Sequence, residues 1–174
     1  MDIVAHGLWV GVGAAWLHRH RRLDRRTTAV TVIMAVIPDI IQLLPLVYQL
    51  LFSPTRWAVL LAYAYALPRF EPVMSPILNE LTFHLHCAMH SALLAGVVTA
   101  VSWVWLKRLW IPLLGWWSHI LIDVLTHSAD FYPSPVFYPA TYWGFDGIAW
   151  NTPWFIVANY LTMLIVAVVI WRSR

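Results

Sequence analysis

Charged residues are scarce in this chain of 174 residues. Lysine and arginine together number 11 and aspartate and glutamate 8, so charged side chains form only 11% of the sequence. A soluble domain carries about 25% charged residues, because it must cover its surface with groups that water solvates. The scarcity of charge excludes soluble globular, disordered and coiled-coil proteins.

Cysteine is nearly absent, and we find no internal repeat and no low-complexity segment. The single cysteine, Cys87, excludes an intrachain disulfide and a cysteine-rich metal site. The net charge is +3, but five arginines lie in one short loop, 18–26, beside an apolar run. That pattern is typical of a cytoplasmic loop of a membrane protein. We therefore expect no nucleic-acid partner.

Hydrophobic residues are abundant, at 61% of the sequence, and 12 tryptophans suit membrane interfaces. A membrane-spanning helix needs about 20 apolar residues. The segment 57–67 is too short to span comfortably, and we predict a half-helix or an interfacial piece there. We expect an all-α, polytopic membrane bundle that forms a single integral membrane domain, 1–174, with about five spans. The predicted spans are 3–17, 27–52, 84–106, 109–125 and 154–171.

Basic residues predict the orientation of these spans. The loop 18–26, the pair 107–108 and the arginines at 172 and 174 all belong in the cytoplasm under the positive-inside rule. The N-terminus is then outside and the C-terminus cytoplasmic, in an inner (plasma) membrane whose lipids are the expected partners. The first residues contain no basic region, so we expect a retained helix rather than a cleaved signal peptide. The oligomeric state is left open.

Ionisable side chains interrupt these apolar runs at seven positions. Each costs at least about 2.5–3.5 kcal/mol in a bilayer, so such residues indicate a functional site. Counted from the basic cluster of each helix, five of them lie roughly 16–26 Å above the cytoplasmic boundary. Four helices thus place His or Asp in one layer, in the outer half of the membrane. The seven residues are His6, Asp39, His86, His90, His119, Asp123 and His127.

The spacing of these residues favours a metal site. His119, Asp123 and His127 share one helical face at i, i+4 and i+8, and His86 and His90 are also i, i+4. Two imidazoles at that separation can bind one metal, as in the HExxH motif, although the glutamate of that motif is absent here. Mixed His and carboxylate ligation suits a divalent ion: zinc first, with manganese or iron as alternatives. Such a metal lowers the pKa of a bound water to about 7, which supplies the nucleophile of a hydrolase.

Pro38 lies directly before Asp39 in the second run. Proline removes a helical hydrogen bond and kinks a helix. A kink at membrane depth is tolerated where it faces protein or a watery cavity. We therefore expect Asp39 to project into the same cavity as the histidines.

The order of these motifs resembles the bacterial and archaeal family of membrane-bound metal-dependent hydrolases. The resemblance rests on an early His6, Pro38-Asp39, His90-Ser91 and the stretch 118–126, with 126–133 and 143–150 similar to one branch. That family is similar, more distantly, to zinc-dependent phospholipase C. The resemblance implies a helical membrane enzyme with one metal site. Its implied ligands are His6, Asp39, His90, His119 and Asp123.

Our leading hypothesis is a hydrolase of an ester or phosphoester, acting on a lipid, a lipid-linked or another small-molecule substrate. Asp39 or His127 is the predicted catalytic proton acceptor and donor. The aromatic loop 128–152 either covers the cavity as a lid or is an ordinary connection. His86 is predicted as a metal ligand or as a group that supports one, while His6 could instead face lipid headgroups.

Two other classes of function remain open. Buried His and Asp chains also form relays, so the cluster could serve a metal-ion or proton transporter or channel. It could also hold helices together in a scaffold without catalysis.

Overall fold

The computed structural model describes residues 1–19, 23–52, 56–65, 74–130 and 132–172. These residues form helices and connections without a β-strand, so the all-α prediction is confirmed. Predictions placed on residues 20–22, 66–67, 131 and 174 lie outside the described residues. The helices of the described part are α1 (Ile3–Arg19), α2 (Arg25–Gln42), α3 (Leu44–Phe52), α4 (Arg56–Tyr65), α5 (Pro76–Met89), α6 (Ala92–Leu106), α7 (Leu113–Thr126) and α8 (Pro153–Arg172).

Only α8, among the described helices, is long and apolar enough to cross a membrane by itself. The pairs α2–α3 and α5–α6 also pass this test when each is taken as one span, but they bend by 53° and 60° at their breaks. The helices α1 and α7 are apolar and shorter. Length and composition therefore support one to three spans, and the arrangement with five spans stays a prediction.

The two breaks have local causes. Pro38 lies inside α2, which ends at Gln42, and Pro45 occupies the first turn of α3. The run 84–106, predicted as one span, is divided at His90 and Ser91, because the Ser91 hydroxyl caps α6 by accepting a hydrogen bond from the backbone of the first turn. The first half of this pair, α5, begins before the predicted run, where Ser75 caps it and Pro76 occupies its first turn.

Helix α2 lies at the centre of the fold and packs against α1, α5 and α7. Its closest neighbour is α7 at Gly115, where an added Cβ would lie 2.1 Å from the backbone oxygen of Thr31. Only glycine, which has no Cβ, permits two helices to approach so closely. This approach brings the His119 and Asp123 side of α7 onto the Asp39 side of α2.

Several ionisable groups are buried beside the apolar core, and many large apolar side chains are exposed. His6, His90, His119 and Asp123 are fully buried, whereas Trp105 is 83% exposed. In soluble proteins charged residues are almost never fully buried unless they are paired, and apolar side chains dominate the interior. The many exposed large apolar side chains agree with the apolar composition of the sequence.

The start of α2 carries an N-cap. The hydroxyl and the backbone N–H of Thr27 donate hydrogen bonds of 2.6 Å and 2.9 Å to the carboxylate of Asp24. These bonds stabilise the charged form, the side-chain bond most, and lower the pKa of Asp24.

The connection after α7 is held by its backbone. The N–H groups of Gly147 and Trp150 donate to the carbonyl oxygens of His127 and Thr126, each at 2.8 Å. Val136 likewise accepts a bond of 2.9 Å from the backbone of Ala92, at the start of α6. The described part of 128–152 therefore packs over the helix ends that carry the ionisable residues, while its role as a lid stays a prediction.

Candidate metal centre

Four buried side chains from three elements converge at one point. Asp39 comes from α2, His90 is the residue that caps the end of α5, and His119 and Asp123 lie one turn apart on α7. Each offers one ligand atom, and these four atoms lie within 4.8 Å of one another. The group could hold a metal ion.

Three of the four ligand atoms are especially close. His90 Nε2 lies 3.1 Å from His119 Nε2, and Asp123 Oδ2 lies 2.9 Å from the first and 3.1 Å from the second. Asp39 Oδ1 is farther, at 3.9 Å and 3.8 Å from the same two nitrogens. A tetrahedral zinc site with bonds of about 2.1 Å separates its ligand atoms by about 3.4 Å. The observed distances lie on either side of that value.

The hydrogen bonds of the two imidazoles determine which nitrogen presents a lone pair. His119 Nδ1 donates to the Ala35 carbonyl oxygen at 2.8 Å, and His90 Nδ1 donates to the His86 carbonyl oxygen at 2.8 Å. In a neutral imidazole the other nitrogen, Nε2, then carries a lone pair. Metal-ligating histidines commonly donate their second N–H to a backbone carbonyl in this way.

Both lone pairs therefore face each other and the carboxylate of Asp123. The contacts of Asp123 Oδ2 are short, but this oxygen is buried without a partner in hydrogen-bonding geometry, and Asp39 Oδ2 is likewise buried without one. Facing lone pairs repel unless a cation, either a metal ion or an added proton, lies between them. The donors present fit a divalent metal ion that prefers nitrogen and oxygen ligands.

Neighbouring groups fix the helices around this point. Trp116 Nε1 donates to the Met89 carbonyl oxygen at 2.6 Å, which ties α7 to the last turn before His90. The hydroxyl of Ser91, itself fully buried, donates to the Tyr138 carbonyl oxygen at 2.6 Å. The break between α5 and α6 is therefore held from two sides, and His90 is oriented by it.

The second oxygen of Asp123 has different partners. His6 Nε2 donates to Asp123 Oδ1 at 2.9 Å, and the His6 ring lies on the His119 ring with centroids 3.9 Å apart. The α-amino group of Met1 also contacts this oxygen, and His127 Nε2 lies 3.4 Å from it. His6 and His127 thus adjoin the four-residue group without belonging to it, and their roles as ligand and as proton carrier stay predictions.

His127 is oriented by a strained residue. Its Nδ1 donates to the Tyr132 carbonyl oxygen at 2.6 Å, so Nε2 faces Asp123. Tyr132 adopts a φ of 47°, in the left-handed region that residues with a Cβ rarely occupy. Such strain is frequent at functional sites, where the surroundings hold a residue in an unfavourable conformation.

His86 lies beside the group but outside it. Its ring centroid is 4.2 Å from that of His90, and its Nδ1 donates to Gln42 Oε1 at 2.7 Å. Gln42 Nε2 in turn donates to Asp39 Oδ1 at 3.2 Å. Gln42 was not among the residues predicted from the sequence. The available signal was a lone amide three residues after Asp39, on the same helical face and within an apolar run.

Comparison of the chain with known proteins adds nothing to this geometry. No family model matches the sequence, and neither the curated proteins nor the solved structures yielded a match. The resemblance to membrane-bound metal-dependent hydrolases therefore stays a prediction from the motifs.

Proposed function

We propose that this protein is a membrane-embedded metal-dependent hydrolase that cleaves an ester or phosphoester. One observation carries the proposal: His90 Nε2, His119 Nε2 and Asp123 Oδ2 lie within 3.1 Å of one another. Two histidines and one carboxylate form a ligand set of catalytic zinc sites, which keep a further position open. Zinc is accordingly the proposed metal.

The position of the fourth residue, Asp39, favours a catalytic metal site over a structural site in which protein ligands fill every coordination position. A divalent metal, when bound, supplies an activated water and polarises the oxygen under attack. Asp39 Oδ1 is 0.7 Å or more farther from the two imidazole nitrogens than Asp123 Oδ2 is. That position suits a carboxylate that orients the nucleophile and accepts its proton. His127 Nε2 lies 3.4 Å from Asp123 Oδ1, and we assign to the protonated form of this imidazole the transfer of a proton to the leaving group, after which the neutral ring takes up a proton again.

The surroundings of the site favour a lipid or lipid-linked substrate. The outside of the helices is apolar, and Leu121 on the helix that carries two of the ligands is 66% exposed. We propose that α1, α2–α3, α5–α6, α7 and α8 form five spans, with the N-terminus outside the plasma membrane and the C-terminus in the cytoplasm. The basic residues Arg25 and Lys107 then mark the cytoplasmic ends of helices whose other ends meet at the site.

Hydrolysis by reconstituted protein tests the proposal. Wild-type protein in liposomes is incubated with zinc and a panel of phospholipids, neutral lipid esters and a soluble phosphodiester, and products are identified by mass spectrometry. His119→Ala should abolish hydrolysis, because it removes a ligand. The matched control is His84→Ala, since His84 is exposed and its Nδ1 lies 3.2 Å from the Tyr138 hydroxyl, away from the group. Equal hydrolysis by both variants would contradict the proposal.

One observation favours transport as a second candidate. The site lies at two helix breaks, with Gln42 ending α2 and His90 ending α5. Discontinuous helices with ion ligands at their breaks are typical of secondary transporters. Flux of zinc or protons in proteoliposomes, lost in His119→Ala and without hydrolysis of any lipid, would support this candidate over the hydrolase.

A further inference from the structure

Gln42 connects α2 and α5 by hydrogen bonds of its side-chain amide. It is the last residue of α2, at the 53° bend toward α3, and it lies one turn after Asp39. Its side chain reaches across to α5 and makes hydrogen bonds at both ends of its amide. The amide of Gln42 thus connects α2 with α5 beside the four-residue group.

The chemistry of the two partners fixes how the amide is oriented. A carboxylate oxygen can only accept, so the amide nitrogen Nε2 faces Asp39 Oδ1, at 3.2 Å. The amide oxygen Oε1 then faces His86 Nδ1, at 2.7 Å, and this nitrogen must carry the hydrogen. Gln42 therefore orients one carboxylate and one imidazole at once.

We propose that Gln42 is a positioning residue of the metal site, whose amide holds Asp39 toward the ligands and His86 in a single orientation. The inference rests on the metal site proposed above and adds a residue to it. Groups that hydrogen-bond to ligands orient them and raise their affinity for the metal, and their loss typically lowers metal affinity about 10–100-fold. Asp39 Oδ1 is the ligand atom farthest from the others, so the orientation of this carboxylate depends most on such a bond.

The test uses the full-length protein in detergent, loaded with Co²⁺ alone as a spectroscopic probe of the site. Gln42→Met replaces the amide with an apolar side chain of similar length. The matched control is Gln49→Met on α3, because Gln49 Oε1 is buried without a hydrogen-bond partner. We expect Gln42→Met to bind Co²⁺ about 10–100-fold more weakly and to shift its visible absorption bands, while Gln49→Met matches the wild type.

The outcomes separate the role of Gln42 from the site itself. Equal Co²⁺ affinity and equal spectra in the wild type and Gln42→Met would overturn the positioning role and leave the metal site intact. Equal losses in Gln42→Met and Gln49→Met would also overturn it. Absence of Co²⁺ binding by the wild type would overturn the metal site and the role of Gln42 with it. If Gln42→Met does not fold, Gln42→Asn repeats the test with an amide too short to reach both partners, and the same outcomes apply.

Discussion

Gly115 determines how closely α7 approaches α2, and its replacement by alanine tests the geometry of the site. The new Cβ would lie 2.1 Å from the Thr31 oxygen and 3.0 Å from the Ala35 nitrogen, against an ordinary contact of at least 3.4 Å. Both atoms belong to the backbone of α2, so no side chain can rotate away. The two helices must separate by more than 1 Å at this point.

The expected loss of stability follows from overpacking, which costs about 1–3 kcal/mol when the neighbours cannot rearrange. The separation also moves Asp39, on α2, away from His119 and Asp123, on α7. Metal bonds tolerate deviations of only about 0.2 Å. We therefore expect Gly115→Ala to lower both the free energy of unfolding and the affinity for zinc.

The measurement is chemical denaturation in one detergent, with zinc affinity determined by competition against a chelator. Gly96→Ala on α6 is the control, because its added Cβ would meet nothing within 4 Å beyond its chain neighbours and the backbone of its own helix. Alanine stabilises a helix interior by about 0.5–1 kcal/mol relative to glycine, so this variant should be at least as stable as the wild type. If Gly115→Ala were as stable as Gly96→Ala and bound zinc equally well, the close approach of α2 and α7 would be refuted.

Three further predictions concern the ends of the helices. Ser91→Ala should lower the free energy of unfolding by about 1–2 kcal/mol, because it removes the cap of α6 and the buried hydrogen bond to Tyr138. Ser75→Ala, at the exposed cap of α5, should lower it by less. Chemical denaturation of both variants measures the two losses, and equal losses would contradict the prediction. Lys107→Gly should raise the free energy of unfolding by about 1 kcal/mol, because Lys107 ends α6 with a left-handed φ of 54°, which is unfavourable for a residue with a Cβ. A lower free energy of unfolding in this variant would contradict the prediction. The lowered pKa of Asp24 means that its cap stabilises the fold above the ordinary carboxyl value of 3.8 and that this contribution is lost as the pH falls through the lower folded-state pKa. The stability difference between the wild type and Asp24→Ala should therefore shrink as the pH falls below 3.8, and a difference that grew instead would refute the cap.

The candidate ligands were predictable from the sequence because ionisable side chains are so costly in apolar helices. That cost indicates seven residues, and the structure brings four of them together, Asp39, His90, His119 and Asp123, while His6, His86 and His127 lie beside the group. The pattern did not predict that His90 and His119 lie at one oxygen of Asp123 while His6 and His127 lie at the other. This arrangement depends on how the helices pack, which determines the oxygen that each of them faces. Gln42 was not predictable, because a neutral amide costs less to bury than a charge and because Gln42 belongs to no motif of recognisable spacing.

The helix class was predictable from composition, but the helix boundaries were not. An apolar run does not show where a chain bends, so the division of 84–106 at Ser91 depends on a single capping hydroxyl that the hydropathy pattern does not reveal. The contact at Gly115 is equally invisible in the sequence, since a glycine in an apolar helix has several explanations. Tertiary packing, rather than local preference, decides both features.

Metal content is the most direct test of the central claim that these side chains hold a cation. Protein purified in detergent without chelator is submitted to elemental analysis, as wild type, as Asp123→Asn and as the control Asp146→Asn, whose carboxylate lies in the connection after α7 and accepts a bond from Ala129. We predict about one zinc per chain in the wild type and in Asp146→Asn, and little or none in Asp123→Asn. The same metal content in all three proteins, or no metal in the wild type even after zinc is added, would contradict the claim.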